Sequence, residues 1–247
     1  MANIKGKVSK VEFDSNEICF QNADYDESWE IEDVTDSCTS GDGEESEGII
    51  AERVVELSGN FKPSGSRVKG KDMTFTLNGV EYKIMDMNFE ESPVEIDVGE
   101  SGTDGTQTEI GFINRKSSIN MLMKKGVAPP SRNLSEAATQ LFATGISVAG
   151  NFRVESIKKG IQVKEAVKYD FNGTWQGGVT KLSMGLNVGD SGSLKIIYEE
   201  GTVSNQEDVG TGILVSITIS ANWKGFVKVT YRFKFNGDVT ENEHSDT

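Results

Sequence analysis

The chain has 247 residues, with 39 Asp and Glu against 25 Lys and Arg and a net charge of −14. That balance disfavours a grip on nucleic acid or on an anionic membrane, since both need clustered Lys and Arg. The length suffices for two domains with real cores. No apolar run approaches the roughly 20 residues that span a bilayer, and the opening MANIKGKVSK lacks the apolar stretch of a secretory signal, so none is expected.

Abundant glycine and scarce proline suit a chain of strands and turns. Residues 8–13 alternate as a strand, Asp14-Ser15-Asn16 is a turn, and residues 18–20 continue as a short strand. Residues 22–34 set Tyr25, Trp29 and Ile31 on one side and Asp24, Asp26, Ser28, Glu30 and Glu32 on the other. Period two with one apolar face predicts a half-buried strand. A polar, glycine-bearing loop at 35–48 leads to a return strand at 49–57, where Ala51, Val55 and Leu57 oppose Glu52 and Glu56. Residues 22–57 therefore form a long hairpin with an acidic tip, and residues 58–67 (SGNFKPSGSR) have a linker's composition.

A second run of strands follows at 73–77, 80–89 and 94–98, with Asn78-Gly79 as a tight hairpin turn and Pro93 marking an edge or bulge. A loop at 99–108 precedes a return strand at 109–123. Ser131 or Asn133 is placed to cap a helix over 134–143, with Leu134, Ala137, Ala138, Leu141 and Phe142 on one face and Gly145 at its end. Residues 146–157 and 162–171 predict a strand pair. Beyond Gly177-Gly178 come a strand at 194–198, a polar loop at 205–212 and two alternating strands at 213–223 and 226–235. The last carries Lys228, Thr230, Arg232 and Lys234 on its polar face. Residues 238–247 are a charged tail expected to fray, flexible over 241–247. Trp29, Trp223, Tyr231 and Phe233 fall on core faces, and Cys19 and Cys38 are expected as buried free thiols, with a disulfide as the alternative.

Internal repetition organises the chain. Residues 6–37 match 70–101 without a gap at an offset of 64, pairing Gly6-Lys7 with Gly70-Lys71 and the run 24–28 with 88–92. A shorter match pairs 163–173 with 227–237, ending in Phe171-Asn172-Gly173 and Phe235-Asn236-Gly237. The order N-half, N-half, C-half, C-half predicts a discontinuous domain, 1–62 with 180–240, interrupted by an inserted domain, 68–178. Nested pairing keeps connections short and uncrossed, whereas interlaced pairing needs two crossings between domains.

No enzymatic constellation emerges. Gly189-Asp190-Ser191-Gly192 matches the surroundings of a serine-protease nucleophile, but that chemistry needs a base, and the sole histidine, His244, lies in the tail. A glycine-rich turn is the better reading. No His and Cys cluster has metal-ligand spacing, and the acidic loops at 36–47 and 100–109 lack the spaced pattern of a Ca²⁺ loop. No glycine-rich turn cradles phosphate. No catalytic residue, metal or cofactor is expected.

The opening MANIKGKVSKVEF, the segment ADYDESWEIEDVTDS with its long loop and GIIAERVVELSGNF, and the closing pair GTGILVSITIS and GFVKVTYRFKFNGDV resemble the major tail tube proteins of long-tailed bacteriophages. The resemblance implies a mainly β chain of two tail-tube-type antiparallel sandwich or barrel domains with one flanking helix, the second nested inside the first. It implies stacked rings around a channel for DNA, made by three chains as six pseudo-equivalent folds or by six chains. Such a channel repels phosphate weakly and evenly, which makes Asp24, Asp26, Glu30, Glu32, Glu52, Glu56, Asn88 and Glu90 the candidate lumen residues. Lys228, Arg232 and Lys234 then require carboxylate partners on the same sheet. The long hairpin loops, with Asp36, Asp42, Glu44, Glu45, Glu100 and Asp104, are the expected contacts between rings. Implied partners are further copies of the chain, tape measure, neck and baseplate proteins and, in a contractile tail, a sheath. DNA passes without specific binding, and no membrane is involved. A tail completion or baseplate-adjacent ring protein, and a soluble β-sandwich binding module or adhesin, are the alternative readings.

Overall fold

A computed structural model describes residues 7–33, 46–60, 69–97, 108–122, 129–160, 167–182, 185–200 and 204–244. Within them the chain is mainly β and every strand pairing is antiparallel. The strands are β1 Lys7–Phe13, β2 Asn16–Glu17, β3 Asn22–Asp33, β4 Ser46–Asn60, β5 Thr74–Leu77, β6 Val80–Asp97 and β7 Thr108–Leu122. They continue as β8 Ser135–Ala143, β9 Ile146–Gly160, β10 Lys168–Leu182, β11 Ser191–Glu200, β12 Ser204–Asn222 and β13 Lys228–His244. One 3-10 turn, Gly70–Asp72, is the helical element among the described residues, and no helix there is long and apolar enough to cross a membrane.

Two strand sets have the same order. In the first, β1 pairs with β11, β11 with β12, β12 with β13, β13 with β4 and β4 with β3. In the second, β5 pairs with β8, then β9, β10, β7 and β6 follow, and β6 returns to β5 to close the ring. In the first set β2 pairs with β1, and backbone bonds from Ile18 to Val11 (2.9 Å) and from Gln21 to Ser58 (2.8 Å) carry the chain across to β3. The offset of 64 recurs at the entry turns: Asp14 and Ser15 have φ of 49° and 63°, and Asn78 and Gly79 have φ of 48° and 75°. Positive φ at both central residues marks the turn whose twist suits a two-residue hairpin.

Each set wraps apolar side chains. Phe75, Phe152, Trp175 and Phe89 meet in sequence within the second, where Phe171 packs on Tyr82, and Phe13 lies 5.1 Å from Phe233 within the first. The second core also holds a satisfied polar relay. Trp175 Nε1 donates to Ser117 Oγ (2.8 Å), Ser117 to Gln140 Oε1 (2.7 Å), and Gln140 Nε2 to the Asn88 carbonyl (2.9 Å).

The structure corrects several expectations. In place of the flanking helix expected over 134–143, residues 135–143 are strand. Burial alternates, with Ala138, Gln140 and Phe142 inside and Ala137 and Thr139 outside, while Leu134 is exposed. Sheet pairing to β5 and β9 supplies more bonds than local helix propensity can offset. Gly145, at φ 83°, turns a hairpin instead of ending a helix. Residues 205–212 are strand, because β11 and β13 flank them. The expected flexible tail pairs with β12 as far as His244 opposite Asn205. β10 runs through Gly177-Gly178 to Leu182. Trp223, at the turn after β12, and Cys19 are exposed, not buried. Cys38 and linker residues 61–67 lie outside the described residues.

Candidate functional site

Among the described residues the named strands of the two sets pair with each other along one seam. β11 leaves β12 at Ile213, β5 leaves β6 at Lys83, and the freed edges pair with each other: Ile217–Asn222 of β12 lie opposite Asp86–Glu91 of β6. Eight strands then follow without a break in the order β3, β4, β13, β12, β6, β7, β10, β9.

Direct cross-strand partners share a face, because side chains alternate along each strand. One row across the sheet runs Asn22, Ser58, Thr230, Thr218, Glu90, Lys116, Thr174. The next runs Lys228, Ser220, Asn88, Ser118, Asn172, Ser156. A third runs Asn222, Asp86, Asn120, Asp170, Lys158. Asp24, Glu56 and Arg232 form a fourth, and Asp26 stands two residues along from Asp24. The opposite face of the same strands carries Val55, Leu57, Ile217, Ile219, Phe89, Ile119 and Phe171, all buried. The sheet thus has cores on one side and a continuous polar face on the other.

Asp24, Asp26, Glu56, Asn88 and Glu90 stand on this face, as their spacing implied. The face is mixed, not uniformly acidic. Lys116, Lys158, Lys228 and Arg232 alternate with the carboxylates, and Ser, Thr and Asn fill the positions between. Asn88 Oδ1 accepts the Ser118 N–H at 2.7 Å, and Asn172 Nδ2 donates to Ser156 Oγ at 3.2 Å. Burial and the nearby Asp170 carboxylate push the Asp86 carboxyl above the ordinary carboxylate value.

Glu52 departs from the open face. Arg232 Nη2 lies 3.7 Å and Lys234 Nζ 3.6 Å from Glu52 Oε1, and Lys234 also meets Glu95 Oε2 at 3.4 Å. The outer part of the β6–β7 hairpin reaches β13 there, where the Thr108 N–H donates to Asn236 Oδ1 at 2.6 Å. Val54, Ile213 and Lys234 are consequently buried on the polar side. Arg232 and Lys234 find the carboxylate partners their position required. Around this contact the arms of the hairpin expose Val94, Ile96 and Phe112, the last 88% exposed.

Glu30 and Glu32 lie on β3, but their side chains fall outside what is described, and Asp36, Asp42, Glu44, Glu45, Glu100 and Asp104 lie outside the described residues altogether. Sequence reasoning missed Asp86, Lys116, Ser118, Asn120, Lys158 and Asp170. The offset of 64 pointed to Asp86 through Asn22, but only the seam extends the face over the second set. Within residues 189–192, Gly189 and Asp190 close the turn into β11 and Ser191 and Gly192 begin the strand, with Gly189 at φ 94° and the Asp190 N–H donating to the Asn187 carbonyl at 2.9 Å. Comparison of the chain with protein-family models, curated proteins and solved structures finds no match.

Proposed function

We propose that this chain is a structural virion protein whose copies close into rings and stack as the tube of a phage tail, a channel for genome delivery. The observation that carries the reading is the eight-strand sheet with one polar face over both strand sets. A face of Ser, Thr and Asn with interleaved opposite charges stays hydrated, offers duplex phosphates no basic patch and gives no step to hold them. On this reading the chain is two nested, duplicated folds, three chains make a ring of six, and the polar face lines the lumen. Tape measure, neck and baseplate proteins are the further partners, with a sheath if the tail contracts, and the function is not enzymatic. The identical order of the two strand sets supports duplication. The exposed apolar residues on the arms of the β6–β7 hairpin, Val94, Ile96 and Phe112, suit contact with a neighbouring ring. Negative-stain electron microscopy of the concentrated protein tests this. Stacked rings with an open channel are expected, with three-fold subunit symmetry. Folded monomers that never associate would sink it in favour of a binding module.

A further inference from the structure

We infer that copies of this chain join edge to edge by repeating the internal seam, with β3 of one copy added to β9 of the next in a fixed register that places Asp26 opposite Lys158. The inference deepens the ring reading and rests on it for closure into a ring, while the seam itself rests on strand pairing alone.

The internal seam is a template used once per chain. It joins a hairpin strand of the second set, β6, to a strand of the first, β12, just where each has lost a neighbour. Each set has both kinds of strand. β3 holds the place of β6, since each follows the positive-φ turn and pairs with the next strand of a long hairpin, at an offset of 64. β9 holds the place of β12 at an offset of 60. β8 leaves β9 at Arg153 as β11 leaves β12 at Ile213, and Gly160 faces Lys168 as Ser220 faces Lys228. The counterparts of the seam are therefore residues 22–27 of β3 and the end of β9 from Ile157. Among the described residues no strand pairs along either of these edges.

Transferring the register fixes the partners. Ile217 opposite Glu91 becomes Ile157 opposite Glu27, Thr218 opposite Glu90 becomes Lys158 opposite Asp26, and Ser220 opposite Asn88 becomes Gly160 opposite Asp24. The two edges differ in charge. β3 offers Asp24, Asp26 and Glu27, and β9 offers Lys158 and Lys159, all exposed. Pairing β3 with a second β3 sets carboxylates against carboxylates, and β9 with β9 sets ammonium against ammonium; both are disfavoured across strands. The contact is accordingly head to tail, which closes into a ring or grows as a filament. Lys158, already opposite Asp170 within its own chain, would stand between two carboxylates. Two exposed edges, each a liability when left bare, are covered at once.

Cross-linking tests the register in the full chain with Cys19 and Cys38 replaced by Ser. Directly opposed antiparallel residues have Cα atoms about 4.5–5.5 Å apart, within the roughly 4.4–6.8 Å that a disulfide spans. Asp26→Cys with Lys158→Cys should give, on mild oxidation, a ladder ending in a closed species. Asp24→Cys with Lys158→Cys, displaced by two residues, should not. Asp26→Lys or Lys158→Asp alone should weaken association several-fold, and the two together should restore it, with circular dichroism confirming that each variant folds. Rings that form without this cross-link or this rescue, equal cross-linking from Asp24, or no cross-link at any concentration at which the chain stays in solution would overturn the seam. The first of those results leaves the tube reading standing. Cross-linked, rescued rings that never stack would instead uphold the seam and count against the tube.

Discussion

Arg115 donates from Nε to Glu91 Oε1 across 2.7 Å, and Arg53 makes the same bond to Glu27 at the matching place in the other strand set. The two environments differ. Glu91 is 1% exposed and also receives Lys181, whereas Glu27 is 31% exposed and its arginine turns its other end to Glu241 at 2.9 Å. Removing the buried carboxylate strands two cations, at about 3–5 kcal/mol, whereas Arg53, itself buried, keeps Glu241 when the more exposed Glu27 is removed. Glu91→Ala should therefore cost several times more stability than Glu27→Ala, read as midpoints of urea denaturation. Equal losses would mean that the Arg115 and Lys181 charges reach water in the folded state.

Asp208, buried beside Tyr198, whose hydroxyl donates to Oδ1 at 3.2 Å, has its carboxyl pushed up, chiefly by burial. A carboxyl raised in the folded state binds its proton more tightly there than in the unfolded chain. Stability from this group is then full below the ordinary carboxylate value and falls as pH climbs toward the raised one. Asp208→Asn keeps an acceptor for Tyr198 but titrates nothing. Melting temperatures followed upward from about pH 4, the ordinary carboxylate value, should show the variant gaining on the parent as pH rises. A constant gap would contradict the burial argument.

Gly173 on β10 faces the other core element, Phe152. A methyl group there would collide with the Arg153 carbonyl oxygen and the Phe152 ring, whereas one on Gly178 meets nothing within 4 Å. Overpacking of this kind costs about 1–3 kcal/mol. Gly173→Ala should lower the melting temperature by several degrees, and Gly178→Ala should leave it nearly unchanged. Comparable behaviour of the two would mean that β9 and β10 separate easily at this point.

Much of this fold was legible because alternation is local. The hairpins at 22–57 and 80–122, the turns at Asp14 and Asn78 and the repeat at 64 follow from short-range pattern. Register was not. The match of Phe171-Asn172-Gly173 to Phe235-Asn236-Gly237 implied an offset of 64, but pairing relates β10 to β13 at 60, with Lys168 and Lys228 in equivalent places. A slip of four residues preserves both faces of a strand, so alternation alone cannot detect it. The segment 134–143 misled for a related reason. Three alanines and two leucines favour helix locally, and only the vacancy between β5 and β9 makes the segment strand. The seam between Ile217 and Glu91 is a contact 126 residues long in sequence, 217 − 91, and no local signal announces it.

The polar face carries a prediction about DNA. Its middle row, Ser220, Asn88, Ser118, Asn172, Ser156, is neutral from the seam across the second set and carries one cation, Lys228, on the first, and the flanking rows set Lys116 beside Glu90 and Lys158 beside Asp170. A duplex moving over it meets no run of uncompensated cations. Ser118→Arg with Ser156→Arg and Ser220→Arg adds three cations per chain to that row without touching either core. If the face lines a channel, short duplex DNA should pass over assembled wild-type particles unretained and bind the triple variant. Binding should weaken with salt at a slope of about −0.9 per phosphate neutralised. Retention by the variant only as an unassembled chain would mean that assembly buries the face between copies, which contradicts its lining an open channel.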